Sequence, residues 1–264
     1  MRSGTTSLHR YLGAHPEIFM VSKELQFFTD RFAEGLDWYR AQFAKATTGQ
    51  LLGEATADYL ARESAMTRMA DVLPNARIVA SLRNPVDRAW SHYGLLRTRG
   101  REPRSFAQAL EQEISLIDSE GPETGGILYL YHGLYDLHLQ RAYRLFGKEQ
   151  IHVAIFERMV ADPADTYRSL CAFLGVNASF VPANLGEPVN PFVTFRSLHV
   201  RRLSGRLPSP AGRLLSRLNT RRNVKPPQLD PDLRERLQGF FNPRVTQIEG
   251  MLGYALPEWR GSEA

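Results

Sequence analysis

The residues whose types and spacing could do chemistry fall into three short runs. The first is Arg2-Ser3-Gly4-Thr5-Thr6-Ser7, followed at once by Leu8, Tyr11 and Leu12 at helical spacing. A loop of Gly, Ser and Thr that opens a helix leaves backbone N–H groups unpaired and aims them, with the positive end of the helix dipole, at one point. Hydroxyls at Ser3, Thr5, Thr6 and Ser7 add donors, and Gly4 lets the backbone come close to a ligand. That chemistry is anion binding, although an ordinary capped helix would use the same residue types. A nucleotide-hydrolysing P-loop needs Gly-x-x-x-x-Gly-Lys-Ser/Thr, and no Lys follows Gly4. The cation here, Arg2, stands before the glycine instead.

The second run is Leu82-Arg83-Asn84-Pro85-Val86-Asp87-Arg88-Ala89-Trp90-Ser91-His92-Tyr93. It places Arg83 at the carboxyl end of an expected strand, where ligands bind in parallel sheets, and Ser91 about two turns into the next helix. Arg offers a fork of donors matched to a phosphate, and Ser adds one more. The plain alternative is a surface helix with solvated arginines. The third run, Lys23-Glu24-Leu25-Gln26-Phe27-Phe28, sets a cation and a carboxylate side by side. A carboxylate in a partly closed site can have its pKa raised toward working pH and act as a base, whereas an exposed Lys–Glu pair would do neither.

Taken together, Arg2 to Leu8, His15-Pro16 and Lys23 to Phe28 resemble the 5′-phosphosulfate loop and following segment of sulfotransferases that use 3′-phosphoadenosine 5′-phosphosulfate (PAPS). The likeness is greatest to the carbohydrate and heparan-sulfate branch and its bacterial relatives. Leu82 to Tyr93 resembles the family's 3′-phosphate segment. The resemblance implies that Arg2 and the loop through Ser7 hold the 5′-phosphosulfate, that Arg83 and Ser91 hold the 3′-phosphate, that Glu24 is the catalytic base, and that Lys23 assists at the sulfonate. It further implies a hydroxyl-bearing small-molecule or glycan acceptor and no metal. Two departures stand out. Arg2 occupies a position where many relatives have Lys, and Ala55 follows Glu54 where the heparan-sulfate enzymes have Lys, which argues against a highly sulfated or uronic-acid-rich acceptor. Tyr59, Tyr135 and His92 are candidates to line the acceptor cleft, with a core Tyr and an ordinary helix His as the alternatives for the last two. A kinase-like phosphotransferase using ATP and Mg²⁺, and a protein that binds PAPS without turnover, remain competing readings.

The elements that must position these runs alternate. Helices are expected over 6–15, 30–46, 61–72, from 86 onward, and over 105–119, 134–146, 163–174 and 231–252, and strands over 51–54, 76–82 and 151–157. A loop is expected at 121–126. Strands separated by helices indicate βαβ units, hence an α/β, P-loop-like three-layer fold with a mostly parallel central sheet and a helical, basic C-terminal region. A single domain over 1–264 is expected, with a PAPS-binding core at 1–180. The strand leading into the first loop would precede Met1.

Of 264 residues, 43% are hydrophobic, enough for one sizeable core. The single Cys, Cys171, excludes an internal disulfide framework and suits a cytoplasmic location, and no apolar run is long enough to span a bilayer. The 29 Arg against 4 Lys hint at a GC-rich bacterial genome. A net charge of +5 suits an anionic ligand, with much of the excess between Arg196 and Lys225. That stretch lacks the aromatic residues that stack bases, which disfavours nucleic acid. The seven His show no metal-ligand spacing joined to carboxylates.

Overall fold

The computed structural model describes residues 2–120, 129–187, 194–195, 200, 209–221 and 228–260. After the first loop, α1 (Thr5–Gly13) buries Leu8, Tyr11 and Leu12. Strand β1 (Ile18–Met20) follows, then α2 (Gly35–Ala41), β2 (Leu51–Gly53) and α3 (Glu63–Val72). Strand β3 (Ile78–Leu82) leads into α4 (Pro85–Thr98), α5 (Phe106–Glu120) and α6 (Tyr135–Phe146). Next come β4 (Ile151–Ile155), α7 (Phe156–Ala161) and α8 (Pro163–Leu174). The C-terminal region holds β5 (Thr194–Phe195), α9 (Ser209–Asn219), β6 (Thr220–Arg221) and the long α10 (Pro231–Leu252).

The core strands pair in parallel, as the alternation of elements requires. Ile78 stands opposite Ile151 and Leu82 opposite Ile155 in the β3–β4 pair, and Ile18 opposite Leu51 in the β1–β2 pair. Apolar side chains leave β3 on both faces, the pattern of a strand covered on both sides. Val79 and Ala154 meet Leu8, Leu12 and Leu170 of α1 and α8. On the opposite face Leu82 and Ile155 meet Leu139 of α6 and Val245 and Ile248 of α10. Three layers result. The two strand pairs are not hydrogen-bonded to each other. A cavity of about 1050 Å³ lies against both, lined by Ile18, Met20 and Leu51 from one pair and Ile78, Ala80 and Leu82 from the other.

Helix limits follow the capping residues. Asp162 caps α8, Gly175 closes it at φ 74°, Asp230 caps α10 and Gly253 closes it at φ 80°, so both helices span the residues read from sequence. The expected helix over 30–46 is instead a 3₁₀ turn at Phe32–Glu34 and the short α2, because Gly35 (φ 82°) interrupts it. β1 and α7 were not foreseen. The 121–126 loop lies outside the described residues, as do Arg201, Arg202, Arg206, Arg222 and Lys225 of the basic stretch. Among the described residues no helix is long and apolar enough to cross a membrane.

Helix α10 ties the C-terminal region to the core through Phe241, which is buried among Ala89, Tyr131 and Leu134. Phe241→Ala should cost about 3–5 kcal/mol, and loss of the α10 cap in Asp230→Ala about 1 kcal/mol. Urea denaturation of the two variants beside the parent chain measures both.

Candidate functional site

The first loop is built around a glycine that has no substitute. Gly4 sits in the left-handed region at φ 81°, and a Cβ there would run into Met159 and Phe156. The N–H groups of Ser7 and Leu8 both return to the Gly4 carbonyl, at 2.9 and 3.2 Å. The N–H groups of Thr5 and Thr6 therefore have no intrahelical acceptor, and no side chain caps the helix. Ser3 is buried, and its carbonyl accepts a hydrogen bond from the Ser81 hydroxyl on β3. The loop is thereby fastened to the strand that carries Arg83.

Two sequence runs 89 positions apart meet directly: Arg2 Nε donates to Ser91 Oγ at 2.9 Å. Arg83 Nη1 donates to the Arg2 carbonyl at 3.3 Å, and the Arg83 guanidinium lies over the Phe156 ring at 4.8 Å. Arg83 Nε is buried with no hydrogen-bond partner among the described residues. Burial, and then the charges of Arg83 and Arg99, lower the pKa of Arg2. Among the described residues no carboxylate forms an ion pair with Arg2, Arg83 or Arg99. Arg2 and Arg83, without a counter-ion among the described residues, stand beside N–H groups at a helix start that have no intrahelical acceptor, an arrangement whose field favours negative charge.

Residues that sequence reading passed over hold Arg83 in place. Asn84 Oδ1 caps α4 by accepting from the Val86 and Asp87 N–H groups at 3.0 and 3.3 Å, and its Nδ2 donates to the Trp259 carbonyl at 3.1 Å. Glu157 accepts from the Asn84 N–H and from Trp259 Nε1, each at 3.0 Å. Asn84-Pro85 carried a visible cap signal; nothing in the sequence linked Glu157 to Trp259.

The Lys23–Glu24 run is a loop, and its two charges form an ion pair. Glu24 is exposed; its N–H donates to the Ala55 carbonyl at 2.9 Å, and its Oε2 accepts from the Ala57 N–H at 3.2 Å. Among the described residues the non-glycine residues with left-handed φ are Arg2 (70°), Glu24 (61°) and Gln26 (58°). Such backbone costs about 1–3 kcal/mol per residue and persists only where the surroundings enforce it. Two of the three are the expected catalytic cation and base.

The candidate acceptor residues separate. Tyr59 is buried, and its hydroxyl donates to Glu54 while accepting from the Phe28 N–H at 3.2 Å. It also lines the cavity, as do Thr56, His132 and Tyr135. Tyr135 is buried against Trp259, with ring centroids 5.7 Å apart. His92 is not beside the loop cations but in the core beneath Ser91, edge-on to Tyr129 at 5.3 Å. Burial, reinforced by Arg88, pushes its pKa down to about 2. Burial pushes His138 down to about 3, against the pull of its hydrogen bond with the Tyr131 carbonyl.

This is an α/β protein in which the first loop and the carboxyl end of β3 bring Arg2, Arg83 and Ser91 together at the start of α1. Residues 60–179 match the model of the Sulfotransferase family. The crystal structure of a sulfotransferase from Alicyclobacillus acidocaldarius superposes with a TM-score of 0.74 at 31% identity, covering 98% of this chain and 95% of that one. Mouse bifunctional heparan sulfate N-deacetylase/N-sulfotransferase 1 is 29% identical over 98% of this chain, which spans 30% of that protein's length. Mouse heparan sulfate glucosamine 3-O-sulfotransferase 6 is 28% identical over 96% of this chain and 69% of its own length. The chain belongs to the sulfotransferase family of transferase enzymes.

The buried histidines set a pH dependence. In the unfolded chain each takes up a proton below about pH 6.5, but in the folded chain His138 does so only near 3 and His92 only near 2. Their contribution is intact above about pH 6.5 and is lost as pH falls toward those values, at about 1.4 kcal/mol per pH unit for each. Urea denaturation at pH 7 and pH 5 should show the loss. His138→Gln, which keeps a donor for the Tyr131 carbonyl, should flatten it.

Proposed function

We propose that the chain transfers the sulfuryl group of PAPS to a hydroxyl on a carbohydrate, glycolipid or small metabolite. The observation that carries this reading is the contact between Arg2 and Ser91, which joins the first loop to the Arg83 segment in one cluster of uncompensated cations. A donor with phosphates at both ends of its nucleoside needs two adjoining anion sites. The loop N–H groups with Arg2 serve one, and Arg83 with Ser91 the other. The buried Arg83 Nε is a donor available to the second. The names of the relatives support a sugar acceptor.

The chemistry asks the protein for three things: to align the acceptor, take its proton, and neutralise charge on the departing phosphate oxygen. Glu24 takes the proton as the acceptor oxygen bonds to sulfur. Arg2 and the Thr5 and Thr6 N–H groups meet the charge left as the sulfur–oxygen bond to the 5′-phosphate breaks. Lys23, paired with Glu24, brings a cation to the sulfonate. Adenosine 3′,5′-bisphosphate departs with its charge matched by these donors.

Calorimetric titration should show binding of adenosine 3′,5′-bisphosphate in preference to ATP with Mg²⁺. Arg83→Ala should weaken that binding about 10- to 100-fold, the equivalent of a charge-assisted hydrogen bond. Glu24→Gln should keep the affinity and lose turnover. Preference for ATP, or no binding of either nucleotide, would overturn the reading.

A further inference from the structure

Glu54 is unused in the reaction proposed above, yet it lies at the centre of the site's hydrogen bonding. It follows β2, is largely removed from water and lines the cavity. Its Oε1 accepts from two hydroxyls, Thr56 Oγ1 at 3.0 Å and Tyr59 Oη. Each hydroxyl in turn accepts a backbone N–H from the loop that carries Glu24: Gln26 donates to Thr56 Oγ1 at 3.0 Å, and Phe28 donates to Tyr59 Oη at 3.2 Å. A hydroxyl has one proton to give, and both give it to the same carboxyl oxygen. The two struts therefore share one anchor.

What they hold is the strained part of the loop. Glu24 and Gln26 are both left-handed, and the rings of Phe27 and Phe28 are buried behind them. Ring burial fixes where the loop sits but not its φ angles; hydrogen bonds to specific N–H groups do that. We infer that Glu54 is a positioning residue, fixing through Thr56 and Tyr59 the left-handed turn that presents Glu24 to the acceptor. This rests on the reading of Glu24 as the base. Burial pushes the Glu54 carboxyl above its ordinary value, against the pull of the Tyr59 and Thr56 hydrogen bonds. Glutamine keeps an oxygen that can accept from both hydroxyls and is the conservative replacement.

The test is amide hydrogen exchange on the full chain, with bisphosphate affinity and turnover alongside. Turnover is read as release of adenosine 3′,5′-bisphosphate from PAPS, with an unsulfated N-acetylglucosamine hexasaccharide or water as acceptor. Glu54→Ala should speed exchange at Gln26 and Phe28 by about tenfold or more, while the amides of β3 stay protected. Its kcat should fall by a similar factor with the KM for PAPS unchanged, and Glu54→Gln should restore most of both. Thr56→Val should free Gln26 alone and Tyr59→Phe should free Phe28 alone. Unchanged exchange at both amides, or a rise shared with β3, would overturn the inference. If Glu54→Ala frees both amides while Glu24→Gln keeps turnover, it is the assignment of the base that fails, and the struts stand.

Discussion

Like charges must be kept together here without being cancelled. The charges of Arg83 and Arg99 act on Arg2, so gathering these cations opposes folding unless something else holds them. The groups that hold Arg2 and Arg83 leave their charge intact: a carbonyl for Arg83, a hydroxyl for Arg2, and the face of Phe156 beneath the Arg83 guanidinium. A carboxylate in any of these places would have made a more stable protein and a closed site. The repulsion left in the folded chain is a cost that bound negative charge would relieve.

The opposite side of the site is governed by conformation. Glu24 is exposed, and its direction depends on Lys23, on the Ala57 N–H and on the backbone beneath it, which is left-handed at two of three consecutive residues. Phe27 and Phe28 anchor the loop within an aromatic cluster that includes Tyr39 and Tyr59. The hydroxyls of Thr56 and Tyr59 then choose among the conformations such an anchored loop could adopt. A rigid scaffold with a few directed hydrogen bonds is what a proton transfer needs from a loop residue.

Much of this was legible in the sequence where a local signal existed. Asp162-Pro163 with Gly175, and Asp230-Pro231 with Gly253, carry their own start and stop marks, so α8 and α10 could be delimited without any tertiary information. Arg83 could be placed at a strand end because β3 is a short, mostly apolar run, with Asn84-Pro85 starting a helix directly after Arg83. Three-residue β1 is too short to show a period, and α7 starts directly from β4 with no turn residue between them. The same limit hid Glu54 and the Glu157–Trp259 bond: both depend on partners brought together by the fold, and neither has a spacing to reveal it. Position beside Ser91 suggested that His92 faced the cleft, but neighbours on a helix point about 100° apart, and the next residue turns into the core.

Arginine at position 2 fits this geometry in a way lysine would not. An ammonium carries three donors on one rotating nitrogen, so a bond to Ser91 fixes no plane for the other two. The guanidinium can hold Ser91 through Nε and still present both Nη groups, because its donors form a planar fork fixed relative to one another. The left-handed backbone at Arg2 sets the direction from which that fork approaches, and the Ser3 carbonyl held by Ser81 sets its distance from β3. One side chain thus links the loop to the Ser91 segment while its remaining donors stay available, so under the proposed function the contact between Arg2 and Ser91 is a structural joint that leaves a cation for the donor's phosphates.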